Sequence, residues 1–180
     1  MKTNRETPRW LSNKMWSIIV DHVRELIDTN IKVLEPSAGE GGLLKPSWMA
    51  ESLFNKADIT CVELNKEKCE KLKQNEKHLN VIHADFLNYD FSDTYDVIIA
   101  APPFNNNIDV EHIQKMYSLL NEYGIIVTLT TPYWMTNNES HQVEFREWLK
   151  EIDHKIEMLP DMTFIEKSKT VPTAILIIKK

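Results

Sequence analysis

The chain has 180 residues, 42% hydrophobic and 27% charged, the proportions of one globular domain with a real core. The absence of a repeat period, of a low-complexity tract and of an uncharged apolar run of ~18 to 20 residues argues against fibrous and membrane-embedded classes. A net charge of −6 argues against a protein that coats nucleic acid by charge alone.

In chain order, Leu11, Met15, Ile18, Ile19, Val23, Leu26 and Ile27 recur at helical spacing, which predicts an amphipathic helix over residues 8–28 with Thr7 as its cap and Pro8 at its first position. A short apolar strand, Ile31 to Leu34, runs into Glu35-Pro36 and a glycine cluster, with a helical stretch from there to about Phe54. Ile59 to Glu63 reads as a second strand, Asn65 to Asn75 as a charged helix and Val81 to His83 as a third strand. Tyr95 to Ala100 is the densest apolar run of the first hundred residues, a central strand that ends abruptly at Pro102-Pro103. Val110, Ile113, Met116 and Leu120 mark a further helix, 121–124 a turn and Ile125 to Thr130 a β-branched strand. An amphipathic helix over 139–151, a strand near Lys155 to Leu159 and a last strand from Thr173 to Ile178 complete the chain. Alternation of strands and helices predicts a doubly wound α/β fold: a mostly parallel seven-stranded sheet covered on both faces, with the last strand antiparallel because no helix precedes it. Residues 1–180 read as a single domain, an N-terminal helix over 1–30 on a core over 31–180, with no separate target-recognition domain.

Glycine is scarce. Average usage would give roughly 13, yet the chain has four, and Gly39, Gly41 and Gly42 fall together after the first strand. Small residues there, in Glu35-Pro36-Ser37-Ala38-Gly39-Glu40-Gly41, let the backbone turn sharply and approach a ligand. Glu63 at the end of the second strand can accept from ribose hydroxyls, and the end of the third offers Asp85 beside Phe86. Ligands of open parallel sheets bind at this edge, so the conjunction describes a pocket for a nucleoside-bearing cofactor. A dinucleotide fits poorly: Leu44 stands where G-x-G-x-x-G needs its third glycine, and Glu35 would repel a pyrophosphate. The same acid suits the cationic amino-acid portion of S-adenosylmethionine.

Glu35 to Gly41, Glu63-Leu64, Asp85-Phe86 and the run Asp96 to Phe104 resemble the ordered motifs of Rossmann-like S-adenosylmethionine-dependent methyltransferases, specifically the amino-methylating branch typified by bacterial DNA adenine methyltransferases. The resemblance covers nearly the whole chain. It implies S-adenosylmethionine as cofactor, held by Thr7, Pro8, Glu35, Pro36, Ser37, Ala38, Gly39, Gly41, Glu63, Leu64, Asp85 and Phe86. It also implies methyl transfer to the N6 amino group of adenine in DNA. The specific motif of that branch is Asn or Asp, then Pro-Pro, then Tyr or Phe. Adenine's exocyclic nitrogen is a poor nucleophile because its lone pair is delocalised. A side-chain oxygen and the next carbonyl draw its N–H groups into hydrogen bonds, and the aromatic ring stacks on a base turned out of its helix. Here Pro102, Pro103 and Phe104 are kept, but Ala101 replaces the side-chain acceptor. With every other motif position preserved, Ala101 reads as an engineered Asn-to-Ala change in preference to a naturally non-catalytic homologue.

Aromatics and cations in Tyr133, Trp134, Phe164, Lys167 and Lys169, with the basic start at Lys2, Arg5, Arg9 and Lys14, keep a nucleic-acid substrate in view, DNA before RNA. RNA adenine, a protein glutamine amide, and a non-catalytic partner subunit are the alternatives, and a specificity subunit could supply the target sequence. His22, His78, His112, His141 and His154 read as surface residues. Cys61 and Cys69 read as packing thiols, so no metal is expected, and a reducing, cytoplasmic setting without membrane attachment is the simplest expectation.

Overall fold

The structure is a computed structural model that describes residues 7–24, 30–44, 53, 55–104, 108–161, 163–166 and 169–180. Helix α1 (Arg9–Val23) precedes β1 (Lys32–Glu35), β2 (Asp58–Glu63), α2 (Lys66–Asn75), β3 (Asn80–His83), β4 (Tyr95–Ala100), α3 (Ile108–Ser118), β5 (Leu120–Thr130), α4 (Ser140–Lys150) and β6 (His154–Met158). A short hairpin of β7 (Ile165–Glu166) and β8 (Lys169–Thr170) leads to β9 (Ala174–Lys179). Seven strands form one sheet in the order β3-β2-β1-β4-β5-β9-β6. All pairs are parallel except those that β9 makes with β5 and β6, so β9 alone runs against the rest.

Period-two alternation divides the core between the two faces of the sheet. Val33, Cys61, Val97, Ile99, Ile125, Val127, Ile175 and Ile177 point to one face, where Leu11, Met15, Trp16 and Ile19 of α1 and Cys69 and Leu72 of α2 cover them. Leu34, Val62, Ile98, Ala100, Ile126, Leu176 and Ile178 point to the other, under Val110, Ile113 and Met116 of α3 and Phe145 and Leu149 of α4. Cys61 and Cys69 are buried and free.

Several sequence expectations need correction. Pro8, not Thr7, occupies the cap position of α1, with no side-chain cap bond; Pro8 O accepts from Leu11 N and Ser12 N at 2.9 and 3.0 Å. The helix is followed only as far as Val23, and the expected extension to residue 28 lies outside the described residues. After the glycines comes a 3-10 turn, Gly42–Leu44; most of the helix expected to reach Phe54 is also outside the described residues. The expected turn over 121–124 is instead part of β5, which starts at Leu120 and bulges against β4 between Tyr95 and Val97. Tyr123 takes the left-handed conformation there, φ 63°. Gly124 supplies room, since a Cβ on it would stand 2.8 Å from Leu120 Cδ1 and 2.9 Å from Asn121 O. His112 is 5% exposed, not at the surface: the ring packs beside Phe86, centroids 5.0 Å apart, and burial lowers its pKa to about 4. The β7–β8 hairpin, inside what the sequence shows as one long loop, has no period strong enough to announce it.

Candidate cofactor and acceptor site

From β1 the strand order runs outward through β2 and β3, and the chain then returns to lay β4 on β1's other side. Diverging loops open a cleft at such a reversal, where doubly wound sheets hold their ligands. β1 delivers Glu35 to this edge, 1% exposed. Its Oε1 accepts from Ser37 N at 3.0 Å, while Oε2 and the Oγ of Ser37 have no partner among the described residues. Burial pushes the Glu35 carboxyl up to about 8; the bond from Ser37 N–H opposes this and the Glu63 carboxylate adds to it. A buried acid left short of bonds is a receptor for a donor, best a cationic one.

Beyond Glu35, the buried Pro36 and Ala38 lead into Gly39 and Gly41, both left-handed at φ +57° and +82°. Ala38 N donates to Val62 O at 2.9 Å, Gly39 N to Glu63 Oε2 at 2.7 Å and Gly41 N to Ala38 O at 2.8 Å. A Cβ on Gly41 would stand 2.9 Å from Leu72 Cδ1, so the turn lies directly on α2. Trp16 of α1 fastens the following segment by donating Nε1 to Leu43 O at 2.6 Å. Thr7 and Pro8 stand half-buried at the start of that helix.

Glu63 is half-buried and braces the turn: besides Gly39 N, it accepts Asn65 N on Oε1 at 2.6 Å, which leaves each oxygen a free lone pair. Leu64 beside it is 67% exposed, with its carbonyl held by His83 Nε2 at 3.0 Å. Asp85 closes a local turn through Leu87 N at 3.0 Å and Asn88 Nδ2 at 2.7 Å. The Phe86 ring turns away into the core against Phe91 and His112, so of this pair Asp85 is the part still reachable. Lys115 of α3 holds the same loop, its Nζ donating to Leu87 O and Tyr89 O at 2.9 and 2.7 Å over the Phe86 and Phe91 rings.

On the far side of the reversal, β4 pairs Ala100 with Thr128 of β5 and releases Ala101 to Phe104. Pro102 is buried and Pro103 exposed; Ala101 and Phe104 are half-buried and pack on the core. Phe104 meets Phe164 edge to face, centroids 5.9 Å apart. Residues 105–107, Lys2, Arg5 and Lys167 lie outside the described residues. Trp134 and Phe164, 4% and 7% exposed, are packing residues; the accessible ring after β5 is Tyr133, 52% exposed. Leu64, which follows β2, and Tyr133 and Met135, which follow β5, are exposed at this edge.

Asp109 escaped the sequence reading. It is fully buried, and its Oδ2 accepts from Thr130 Oγ1, Thr131 N and Thr131 Oγ1 at 2.9, 2.9 and 3.1 Å, while Trp134 Nε1 donates to Thr130 Oγ1 at 3.0 Å. The chain is thus tied to β5 at Ala100, before Ala101 to Phe104, and again at Asp109. The available signal was an acid at the head of an apolar helix face just beyond Pro-Pro-Phe.

This fold and the site at its reversal define an architecture: the chain has the Rossmann-like fold of class I S-adenosylmethionine-dependent methyltransferases. No protein-family signature matches the chain, and no curated protein matches it. Among solved structures, it is similar to a type I restriction-modification methyltransferase subunit from Streptococcus thermophilus, with a TM-score of 0.80, 17% identity and coverage of 97% of this chain and 44% of that one. A Listeria monocytogenes protein described as a class I S-adenosylmethionine-dependent methyltransferase gives 0.78 and 15%, over 100% of this chain and 62% of that one. The plantazolicin methyltransferase BpumL, solved with a pentazolic desmethylPZN analogue and SAH, gives 0.66 and 16%, over 98% and 87%. The chain therefore spans about half the length of the first two.

Proposed function

We propose that this chain binds S-adenosylmethionine and belongs to the enzymes that methylate the N6 amino group of adenine in DNA, with its own transfer slowed by Ala101. The observation that carries the reading is the buried Glu35 carboxyl at the strand-order reversal, whose Oε2 has no partner among the described residues, as the Ser37 hydroxyl two positions on has none. These groups fit the α-ammonium of the cofactor's amino-acid end. Gly39 and Gly41 keep side chains out of its way, and Ala38 and Pro36 shape the wall behind it. Glu63 has lone pairs left for ribose hydroxyls, Leu64 offers an apolar surface to the base and Asp85 a carboxylate to its edge. Phe86 backs the Asp85 turn from the core, and Thr7-Pro8 flank the cleft from α1. When bound, the cofactor supplies an electrophilic methyl group on sulfur.

Across the cleft, the Pro102 carbonyl can accept one N–H of the target amine and Phe104 can stack on the base, with Pro103 beside it. Ala101 offers no second acceptor, so the nitrogen lone pair is less well directed. By analogy with the loss of one oxyanion-hole donor, transfer falls on the order of a hundredfold to a thousandfold. The exposed Tyr133 and Met135 at this edge support a planar substrate, as does the likeness to a restriction-modification subunit. Ala101 itself favours a second reading, a subunit that holds cofactor and nucleic acid without transferring.

The test is calorimetric titration of the full chain with S-adenosylmethionine, and then labelled-methyl transfer by Ala101→Asn to adenine-containing duplex DNA, RNA and protein in parallel. Cofactor binding with label in DNA is expected. Label confined to RNA or protein reassigns the acceptor, binding with no label in any arm leaves the non-catalytic reading, and no binding defeats both.

A further inference from the structure

β6 is the last strand of the sheet, and its outer edge has no strand beside it among the described residues. Two bonds fix which backbone groups face outward. Leu159 N donates to Thr173 O and Lys179 N to Asp153 O, so the odd-numbered residues of this stretch exchange their bonds with β9. In an antiparallel pair that assignment alternates. The N–H and C=O of His154, Ile156 and Met158 therefore point to the open edge.

The side chains follow the same alternation. Ile156 is half-buried on the α4 face and Met158, in the same row, is 53% exposed. Lys155 and Glu157 lie on the opposite face, where Glu157 pairs with Lys14 of α1 and no partner is found for Lys155 among the described residues. An edge defended against pairing carries like charges or proline. This one carries Lys-Ile-Glu, which is its own complement when reversed.

We propose that β6 is a self-pairing edge at which a second copy of this chain docks antiparallel about a two-fold axis through Ile156, joining the two sheets. In that register Ile156 faces Ile156 and His154 faces Met158 of the second copy, and these are the pairs whose backbone groups point outward and can exchange N–H···O bonds. Lys155 then faces Glu157 of the second copy in a non-hydrogen-bonded pair, the arrangement that brings side chains closest. Shifting the register by one residue would instead place Ile156 against a charged side chain and lose the match. A groove of about 750 Å3 lined by α1, β6 and β9 runs along the Lys155 and Glu157 face, so the second copy's charged pair closes over its rim. The two-fold turns the candidate sites to opposite sides of the joined sheet and leaves both open. The proposal is independent of the methyltransferase reading.

Sedimentation velocity of the full chain from about 1 µM to 1 mM spans the range in which interfaces below the standard size associate. Concentration-dependent dimerisation is expected. Lys155→Glu should weaken it about tenfold by placing like charges opposite each other, and Lys155→Glu with Glu157→Lys should restore it, because the swapped edge is again its own complement. Ile156→Pro removes an N–H that β9 does not use and should abolish the dimer, with circular dichroism confirming the fold. A chain that stays monomeric throughout, or a dimer indifferent to both Lys155→Glu and Ile156→Pro, overturns the proposal.

Discussion

Glu35 and Asp109 are both buried acids at the same edge of the sheet, one on each side of the strand-order reversal, and they differ in how many donors the protein already gives them. Asp109 holds three donors from Thr130 and Thr131 on Oδ2, with Oδ1 unpartnered among the described residues, and so ties α3 to β5. Glu35 has one bond, to the backbone two residues on, and a second oxygen with none. Neither burial nor an unpartnered oxygen therefore marks a ligand site by itself. Glu35 stands apart by its single hydrogen bond and by the turn of left-handed glycines beside it, and in the proposed reading it serves recognition while Asp109 builds the frame.

The largest expected effect that sharpens this contrast is a pH dependence. The folded-state pKa of Glu35, about 8, lies above its ordinary 4.5, so between those values the folded chain holds a proton that the unfolded chain has lost. Its contribution to stability is full below about pH 4.5 and declines as pH rises to about 8, by up to ~1.4 kcal/mol per unit and on the order of 4 kcal/mol across the window. Glu35→Gln should remove that decline, and urea unfolding of both proteins from pH 5 to 9 measures it; parallel curves would place the charge elsewhere. Next in size, Asp109→Ala strands buried donors and should cost roughly 3 kcal/mol in the same assay, with cofactor affinity little changed. Equal losses of affinity from both variants would erase the distinction between the two acids.

Gly41→Ala should cost about 1 to 2 kcal/mol, from a left-handed alanine pressed on Leu72, and weaken cofactor binding more than it lowers the melting temperature. Calorimetric titration beside thermal denaturation separates the two. Smallest, Lys115→Met should cost about 1 kcal/mol by freeing the loop that carries Asp85, and hydrogen exchange at residues 87–89 should quicken while β1 stays protected.

The sheet was legible because β-branched runs such as Tyr95 to Ala100 and Ala174 to Ile178 can be buried only as strands. Gly39 and Gly41 were legible for a similar reason: their type and clustering reveal a backbone demand that the φ values now show. Features set by distant partners were hidden. The start of β5 looked like a turn because Asn121 to Gly124 has turn composition, yet Tyr123 N finds Lys180 O and Gly124 O finds Lys180 N, and those bonds keep the segment in the strand. His112 gave no sign of burial because its cover, Phe86, belongs to another element. Asp109 was silent because its donors lie more than twenty residues on, at Thr130 and Thr131.

The bulge at Tyr123 also decides where polypeptide can be attached. Its N–H and the Gly124 carbonyl hold Lys180, Leu120 O takes the Lys180 ammonium at 2.8 Å, and Tyr123 O bonds the His22 ring at 2.9 Å. These contacts gather Lys180, just beyond β9, and the end of α1 at the sheet edge opposite Glu35 and Phe104. Polypeptide that continues from Lys180, whether the protein's own or an added linker, therefore starts on the side away from the cleft and leaves that cleft open to the solution.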